Sequence, residues 1–290
     1  MVVGGGPAGM KAAETLARRG HSVILMEQAT TLGGQVALLA QTPFRESFGE
    51  LVEDLSNALD RLGVDVRCNT RATSELLAEL EFDNLIIASG ATPERLGYSS
   101  AAPTVHELPG VSLGTVVPGW EVLQGTAYPE GRIVVLDSEG TRETASVAEV
   151  LLDRGQRVEL VTRWNSLFPF TAHTLDQPLL YQRLLGKGLD YRLGSWATEV
   201  RPGSVVVRNL YTGALDELAD VDAVVLATGR RANHALYFQL KADGVEARRI
   251  GDCLAPRTID HAIYEGYVAG RELVGDERYI PEGRLESVPA

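Results

Sequence analysis

The chain has 290 residues, room for about two domains at roughly 150 residues each. It is 44% hydrophobic, ample for a buried core, and its formal net charge of −12 argues against nucleic acid and against anionic membrane surfaces as partners. No apolar run approaches the roughly 20 residues of a membrane-spanning helix, glycines from Gly4 onward leave no room for a signal peptide, and Cys68 and Cys253 are too far apart for a CxxC dithiol and too few for an iron–sulfur cluster, so a reduced, cytoplasmic setting is expected.

The first stretch, Met1–Gly9 (MVVGGGPAG), reads as a short strand, a glycine turn and a helix that opens at Pro7. Gly4, Gly6 and Gly9 stand at GxGxxG spacing. The first glycine permits the tight turn, the second lets a pyrophosphate approach the backbone, and the third lets helix and strand pack closely. The helix N-terminus then offers free N–H groups and the positive end of its dipole to the phosphates. The spacing alone fits any glycine-rich turn, but the context on both sides is right. Met10–Arg19 has a helical pattern that Gly20 stops, and His21–Met26 is an apolar strand ending at Glu27, an acid placed to accept from ribose hydroxyls. The unit reads as a dinucleotide- or ADP-binding βαβ. Its first strand, Met1–Val3, falls short of the usual length of about five or six residues, which leads to the expectation of a chain cut from a longer one, or of a subunit whose partner covers that edge.

Further on, Gly33, Gly34 and Gln35 suggest backbone passing close to a ligand. Phe48–Leu62 carries Leu51, Leu55, Leu59 and Leu62 at helical spacing, and Val64–Cys68 alternates as a strand. Asp83–Ser89 reads as a buried strand, and the small residues Ala88, Ser89 and Gly90 at its carboxyl end leave room where open α/β sheets bind ligands. A second cycle repeats the grammar: a short helix from Trp120 to Leu123, a strand over Arg132–Leu136, a helix over Thr144–Arg154, a strand over Arg157–Thr162, a helix over Leu175–Gly186, strand-like pieces over Tyr191–Arg208, and a buried strand over Val221–Ala227 ahead of Thr228-Gly229-Arg230. Then Arg249–Cys253 runs a short strand into Gly251-Asp252, a helix follows from Thr258 to Val274, and Gly275–Ala290 is a polar tail. Gly-Asp at that place can bond a ligand's sugar-like chain.

The order GGGPAGM, Glu27, LGGQ, ASGATP, ATGR and IGDCLAPRTIDHAIYEGYVAGREL resembles the two-dinucleotide-domain flavoproteins. More narrowly it resembles the carboxyl-terminal half of old-yellow-enzyme-type proteins, the group of 2,4-dienoyl-CoA reductase and trimethylamine dehydrogenase. The resemblance covers nearly all of the chain and none of the flavin-mononucleotide (FMN)/iron–sulfur barrel that forms the other half of that family. It implies an α/β fold of two Rossmann-like FAD/NAD(P)-binding domains, the second inserted into the first, with residues 1–110 and 240–290 forming the first and 111–239 the second. It puts the pyrophosphate of FAD on Gly4, Gly6, Pro7, Ala8 and Gly9, and the ribose on Glu27 with Gln28 beside it. Gly34, Gln35, Ala88, Ser89 and Gly90 lie along the ligand, and Gly251 and Asp252 meet its ribityl or flavin end. ADP is the alternative occupant.

The second domain departs from that pattern. The turn after its first strand reads Asp137-Ser138-Glu139-Gly140-Thr141-Arg142, with acids at glycine positions. Two carboxylates facing a pyrophosphate at 4–6 Å would repel it by several kcal/mol at an effective dielectric of about 20. Arg163 ends the next strand where an acid would serve a ribose; it reads as a solvated arginine, with a 2′-phosphate partner as the alternative. NAD(P)H binding in the usual way is therefore not expected there. Cys253 reads as a small packing residue, His173 and His261 as surface or packing residues, and Phe168, Phe170 and Trp164 as core, with a docking patch as the alternative. No catalytic residue and no metal-ligand spacing stands out. The resemblance implies an FAD-binding electron-transfer subunit or fragment of a larger oxidoreductase, partnered by an FMN/iron–sulfur barrel chain and by an electron-carrier protein. A self-contained NAD(P)H-dependent reductase and a non-catalytic ADP-binding module are the alternatives.

Overall fold

A computed structural model of the chain describes residues 1–273. The tail read at Gly275–Ala290 and the last residue of the helix read to Val274 lie outside them. In chain order the elements are β1 (Val2–Val3), α1 (Pro7–Arg18), β2 (Ile24–Met26), α2 (Gly34–Ala40), α3 (Phe48–Arg61), β3 (Asp65–Arg67), α4 (Ser74–Ala78), β4 (Ile86–Ile87) and β5 (Ala91–Pro93). These are followed by β6 (Val116–Pro118), α5 (Gly119–Leu123), β7 (Arg132–Asp137), α6 (Arg142–Asp153), β8 (Arg157–Thr162), α7 (Gln177–Gly186) and β9 (Asp190–Arg192). The last stretch holds β10 (Ser195–Arg201), β11 (Ser204–Asn209), β12 (Leu215–Leu218), β13 (Ala223–Ala227), β14 (Arg230–Ala232), α8 (Ala235–Ala242), β15 (Arg248–Arg249) and α9 (Ile259–Glu272).

The chain divides into two compact units. The first holds Met1–Ala40, Phe44–Thr92 and the segment from Arg231 onward, and the second holds Gln41–Pro43 and Pro93–Arg230. The second is thus inserted into the first, but its borders fall at 92/93 and 230/231 rather than at 110/111 and 239/240. Leu108 and Val111 are buried with Val134, Leu136 and Val200 of the second unit. Leu236, Tyr237 and Leu240 of α8 pack with Val3, Met26 and Ile87 of the first. Each segment goes with the core that takes its apolar side chains out of water.

The first unit is built on a parallel sheet in the order β15-β4-β1-β2-β3. Its central strands β1, β2 and β4 are buried on both faces, and alternate residues go to opposite sides. Val2, Leu25 and Ile86 pack against α1, α3 and α9 through Met10, Leu16, Leu59 and Ala269, while Val3, Met26 and Ile87 pack with Leu77 and Leu240. The strands are shorter than the apolar runs that mark them, Ile24–Met26 within His21–Met26 and Ile86–Ile87 within Asp83–Ser89, with Val23, Leu85 and Ala88 adding backbone bonds at their ends. On α1 the buried Glu14 carboxylate takes Lys11 and Arg18 at 2.8 Å each. Burial works against this charge, and the two cations outweigh it, holding the carboxyl below the ordinary range.

The second unit repeats the sheet as β6-β13-β7-β8-β9, again all parallel. Ile133 and Val135 of β7 pack on α6 and α7 through Ala148, Leu151, Leu180 and Leu184. Val134 and Leu136 pack on the antiparallel sheet β10-β11-β12 through Trp196, Val205 and Val207. Both units are Rossmann-like, and in each sheet the strand order reverses about the strand that precedes the first long helix. Open α/β sheets bind ligands at the carboxyl ends of such strands.

Candidate functional site: two strand–turn–helix cradles

In the first unit the chain turns sharply after β1. Gly4 has φ +105°, its N–H donates to Met26 O at 2.7 Å, and a Cβ built on it would lie 2.2 Å from the Ala88 carbonyl oxygen. A Cβ on Gly9 would lie 1.9 Å from the Gly4 carbonyl oxygen. The protein's own backbone therefore requires the first and third glycines. A Cβ on Gly6 would meet nothing within 4 Å, so that position opens onto free space. Helix α1 begins there, with Gly6 as an N-cap that carries no side-chain bond and Pro7 at its first position. Proline has no N–H, and the next amides are left for an outside acceptor, reinforced by the helix dipole.

Glu27, at the carboxyl end of β2, is fixed by two amides: one carboxylate oxygen accepts from Gly5 N–H and the other from Ala29 N–H, each at 2.7 Å. Each oxygen keeps lone pairs for further donors such as a ribose diol. Gln28 beside it is exposed. The LGGQ segment folds onto the turn. Gly33 N–H donates to Gly5 O at 2.8 Å, and a Cβ on Gly34 would come 3.2 Å from Gly6 Cα. Gly34 is also the first residue of α2 rather than part of a loop.

On the far side, Gln35 Nε2 donates to Asp252 Oδ2 at 3.0 Å. Asp252 Oδ1 accepts from Arg257 N–H at 3.0 Å, and Gly251 packs on Ala8, where a Cβ would come within 2.7 Å of the Ala8 Cβ. Ser89 and Gly90 are joined to Asn233: the Ser89 hydroxyl donates to Asn233 O at 2.5 Å and Asn233 N–H donates to Gly90 O at 2.9 Å. Cys253 is fully buried with its Sγ 3.2 Å from the Ser89 hydroxyl. Burial pushes this thiol up, and its side chain packs in the core with Ile87 and Leu240.

The residues read from sequence thus converge. Gly4, Gly6, Pro7, Ala8, Gly9, Glu27, Gly34, Gln35, Ala88, Ser89, Gly90, Gly251 and Asp252 lie together at the carboxyl ends of β1, β2 and β4. The site's polar groups suit a nucleoside diphosphate: open backbone at Gly6, unpaired first-turn amides and a pre-set carboxylate. Sequence reasoning missed Asn233, Glu265 and the helix face that carries Gly266 and Gly270. Cβ atoms on these two glycines would come 2.3 Å from Ala8 O and 2.6 Å from Thr15 Cβ, so α9 lies directly on α1. The spacing of small residues four apart in a helical run was the available signal. Arg19 completes that contact, its Nη1 donating to the carbonyls of Gly270, Arg271 and Leu273 at the negative end of α9.

The second unit has the same path and a different filling. Asp137 does not face outward as a carboxylate opposed to a phosphate. It is fully buried, turned beneath the loop. Its Oδ1 accepts from Glu139 N–H at 3.1 Å, Gly140 N–H at 2.8 Å and the Thr144 hydroxyl at 2.9 Å, and its Oδ2 accepts from the Thr162 hydroxyl at 2.8 Å. A carboxylate in this position attracts the loop's own amides, which is why it turns inward. Burial still pushes its carboxyl above the ordinary range, against those four donors. Glu139 is likewise raised, by burial first, with the Arg230 charge opposing. Arg163 is not a solvated side chain: its Nε donates to Ser138 O at 3.0 Å and its guanidinium lies 3.7 Å from the centre of the Trp164 ring. Trp164 meets Phe170 edge-on at 5.0 Å, and a Cβ on Gly140 would lie 2.7 Å from its Nε1. Phe168 is core, whereas Phe170 is half exposed. His173 and His261 are exposed.

Comparison with known proteins matches this geometry. The chain is 33% identical to the N,N-dimethylglycine/sarcosine dehydrogenase of Chromohalobacter salexigens, covering 91% of this chain and 42% of that protein. It is 31% identical to the bilirubin reductase of Mediterraneibacter gnavus, covering 94% and 40%. Among solved structures, histamine dehydrogenase from Rhizobium sp. 4-9 superposes with a TM-score of 0.89 at 30% identity, over 94% of this chain and 43% of that one. The chain spans about two fifths of the length of the relatives it matches. Residues 1–264, which contain both cradles, match one family along their whole extent, and the chain belongs to it: the pyridine nucleotide-disulphide oxidoreductases.

Proposed function

We propose that this chain is the FAD-binding module of a larger oxidoreductase, an electron relay that works with an FMN/iron–sulfur barrel protein and, through it, with an electron carrier. The observation that carries this reading is the first cradle: Gly4 and Gly9 closed by the protein's own backbone, Gly6 open, and Glu27 pre-set by two amides. FAD, when bound, supplies the redox-active ring. The chain's own residues bind and orient it. First-turn amides of α1 take the pyrophosphate, Glu27 takes the ribose hydroxyls, and Gln35 and Asp252 take the ribityl side. The partner assignment rests on the likeness to relatives more than twice as long.

The second unit, in this reading, takes no NAD(P)H in the usual way. Asp137, Arg163 and Trp164 already satisfy and cover the turn that would hold its pyrophosphate. The relay therefore receives electrons from its partner rather than from nicotinamide.

Mass spectrometry of the ligand released on denaturation, read with the native mass, tests the proposal. FAD in an assembly heavier than one chain is the expected result. A yellow monomer bleached rapidly by NADH would overturn it. A second reading, ADP alone as a structural ligand, is favoured by one contact: Gln35 and Asp252 bond each other at 3.0 Å across the place a ribityl chain would take. Release of ADP without flavin absorbance would select it.

A further inference from the structure

A chain of contacts behind Asp252 runs to a residue that no part of the cradle motif includes. Gly251, in the left-handed region at φ +61°, donates its N–H to Glu265 Oε2 at 2.6 Å. The other Glu265 oxygen pairs with the Arg257 guanidinium. Arg257 in turn donates its backbone N–H to Asp252 Oδ1, and Asp252 Oδ2 accepts from Gln35. Glu265 is nearly two turns into α9, immediately before Gly266, whose close approach to Ala8 fixes where that helix stands. One carboxylate therefore grips both ends of the Gly251–Arg257 loop. It holds the Gly251 amide at the start and the Arg257 side chain at the end, and the Asp252 carboxylate lies between the two anchors.

We propose that Glu265 is a positioning residue for the flavin end of the site: it sets the Asp252 carboxylate and so makes that site prefer a full flavin dinucleotide over ADP. This rests on the FAD reading above. Glu265 makes no hydrogen bond to the Gly4–Gly9 turn or to Glu27, so it reaches the adenosine diphosphate half only indirectly, through the packing of Gly251 on Ala8. A charge-assisted bond that two groups share is worth more than an ordinary one, and its loss frees a loop rather than a helix. The distinguishing signature is a split between two ligands, which a general loss of folding would not produce.

The test titrates FAD and ADP separately into the full-length protein stripped of ligand, by calorimetry, and records the visible spectrum of bound flavin. Glu265→Ala is expected to raise the Kd for FAD about tenfold, the scale of one charge-assisted hydrogen bond, to leave the Kd for ADP within about twofold, and to shift the flavin band toward that of free FAD. Glu265→Gln keeps an acceptor for Gly251 N–H but turns an amide NH2 toward the Arg257 guanidinium and so loses that ion pair, and its FAD affinity is expected between wild type and Glu265→Ala; it carries the test if the alanine variant does not fold. Equal losses for FAD and ADP, or no change in either, overturn the positioning role and leave the FAD reading intact. A wild-type protein that binds ADP and no FAD overturns both.

Discussion

The turn after β1 and the turn after β7 stand at the same place in two sheets of the same strand order, each between a central parallel strand and a long helix. In the first, the turn is made of backbone alone. Gly4 N–H is taken by Met26 O and Gly5 N–H by Glu27, while the amides that open α1, at Ala8 and Gly9, are left for an outside acceptor. In the second, Asp137 reaches under the turn and collects the Glu139 and Gly140 amides itself. In the second unit a carboxylate on the strand's last residue satisfies the turn from within, with no change in topology.

Four substitutions or conditions break or sharpen this contrast. The largest effect belongs to Gly9→Ala. Its Cβ would lie 1.9 Å from the Gly4 carbonyl oxygen, and backbone on both sides cannot yield, so the first cradle is expected to lose its ligand and the first unit its cooperative melt in calorimetry. A stable, ligand-loaded variant would show that the turn is not held by close approach. Next is Asp137→Ala, which strands buried amides and hydroxyls. A loss of about 3 kcal/mol or more is expected from urea unfolding, since each buried unsatisfied group costs about 1–3 kcal/mol. A loss below about 1 kcal/mol would mean that the inward carboxylate does not hold the turn.

Gly6→Ala is the sharpest of the four because it separates folding from binding. Nothing within 4 Å meets the new Cβ, and Gly6 has ordinary extended dihedrals at φ −78° and ψ 179°. Stability is expected to change by less than about 1 kcal/mol, while ligand affinity falls about tenfold or more because the methyl stands where the pyrophosphate meets the backbone. Unchanged affinity in a titration would move the ligand elsewhere. The smallest effect is on pH. Glu14 and Glu149 are held below the ordinary carboxyl range, against burial, by Lys11 and Arg18 and by Arg183 and Lys187. Their contribution is present above the unfolded pKa and is lost as pH falls through the lower folded value. Asp137 and Glu139, raised by burial, have the opposite sign: their contribution is full below the unfolded pKa and declines as pH rises through the raised value. Melting temperature against pH for Glu149→Gln should lose part of its acid-side slope, and for Asp137→Asn part of its fall at higher pH. Parallel curves for all three proteins would contradict both assignments.

Most of the first cradle was legible because its chemistry lies in backbone, and the sequence reports backbone demands through glycine. Gly4, Gly6 and Gly9 are spaced for it, and Glu27 sits where β2 ends. The acids at the glycine positions of the second turn were visible as letters too. What was not legible is where an acidic side chain points. Asp137 was read as facing a phosphate and instead faces Gly140, because hydrogen bonds to the turn beneath it were not visible in one dimension. Arg163 was misread for the same reason, its partners being the Ser138 carbonyl and the Trp164 ring. The unit borders were placed too late at both crossings, because Leu108 and Leu236 choose a core by contact and not by neighbourhood in the chain. Glu265 and the Gly266–Gly270 face escaped because they act on Gly251 and α1 across more than a dozen and more than two hundred positions respectively.

The seating of α9 on α1 has a consequence for synthesis. The helix that follows the Gly4–Gly9 turn leaves the ribosome before the inserted unit, and the one that buries its flank at Gly266 and Gly270 is made only after it. A domain that folds as a unit can close while its host is still incomplete. Ala8, Ala12 and Thr15 must therefore wait, uncovered by α9, through translation of Pro93–Arg230. A nascent chain stalled after Arg230 should resist a protease within that insert and be cut readily within its first ninety or so residues; equal resistance in both parts would show that the early segment shelters itself.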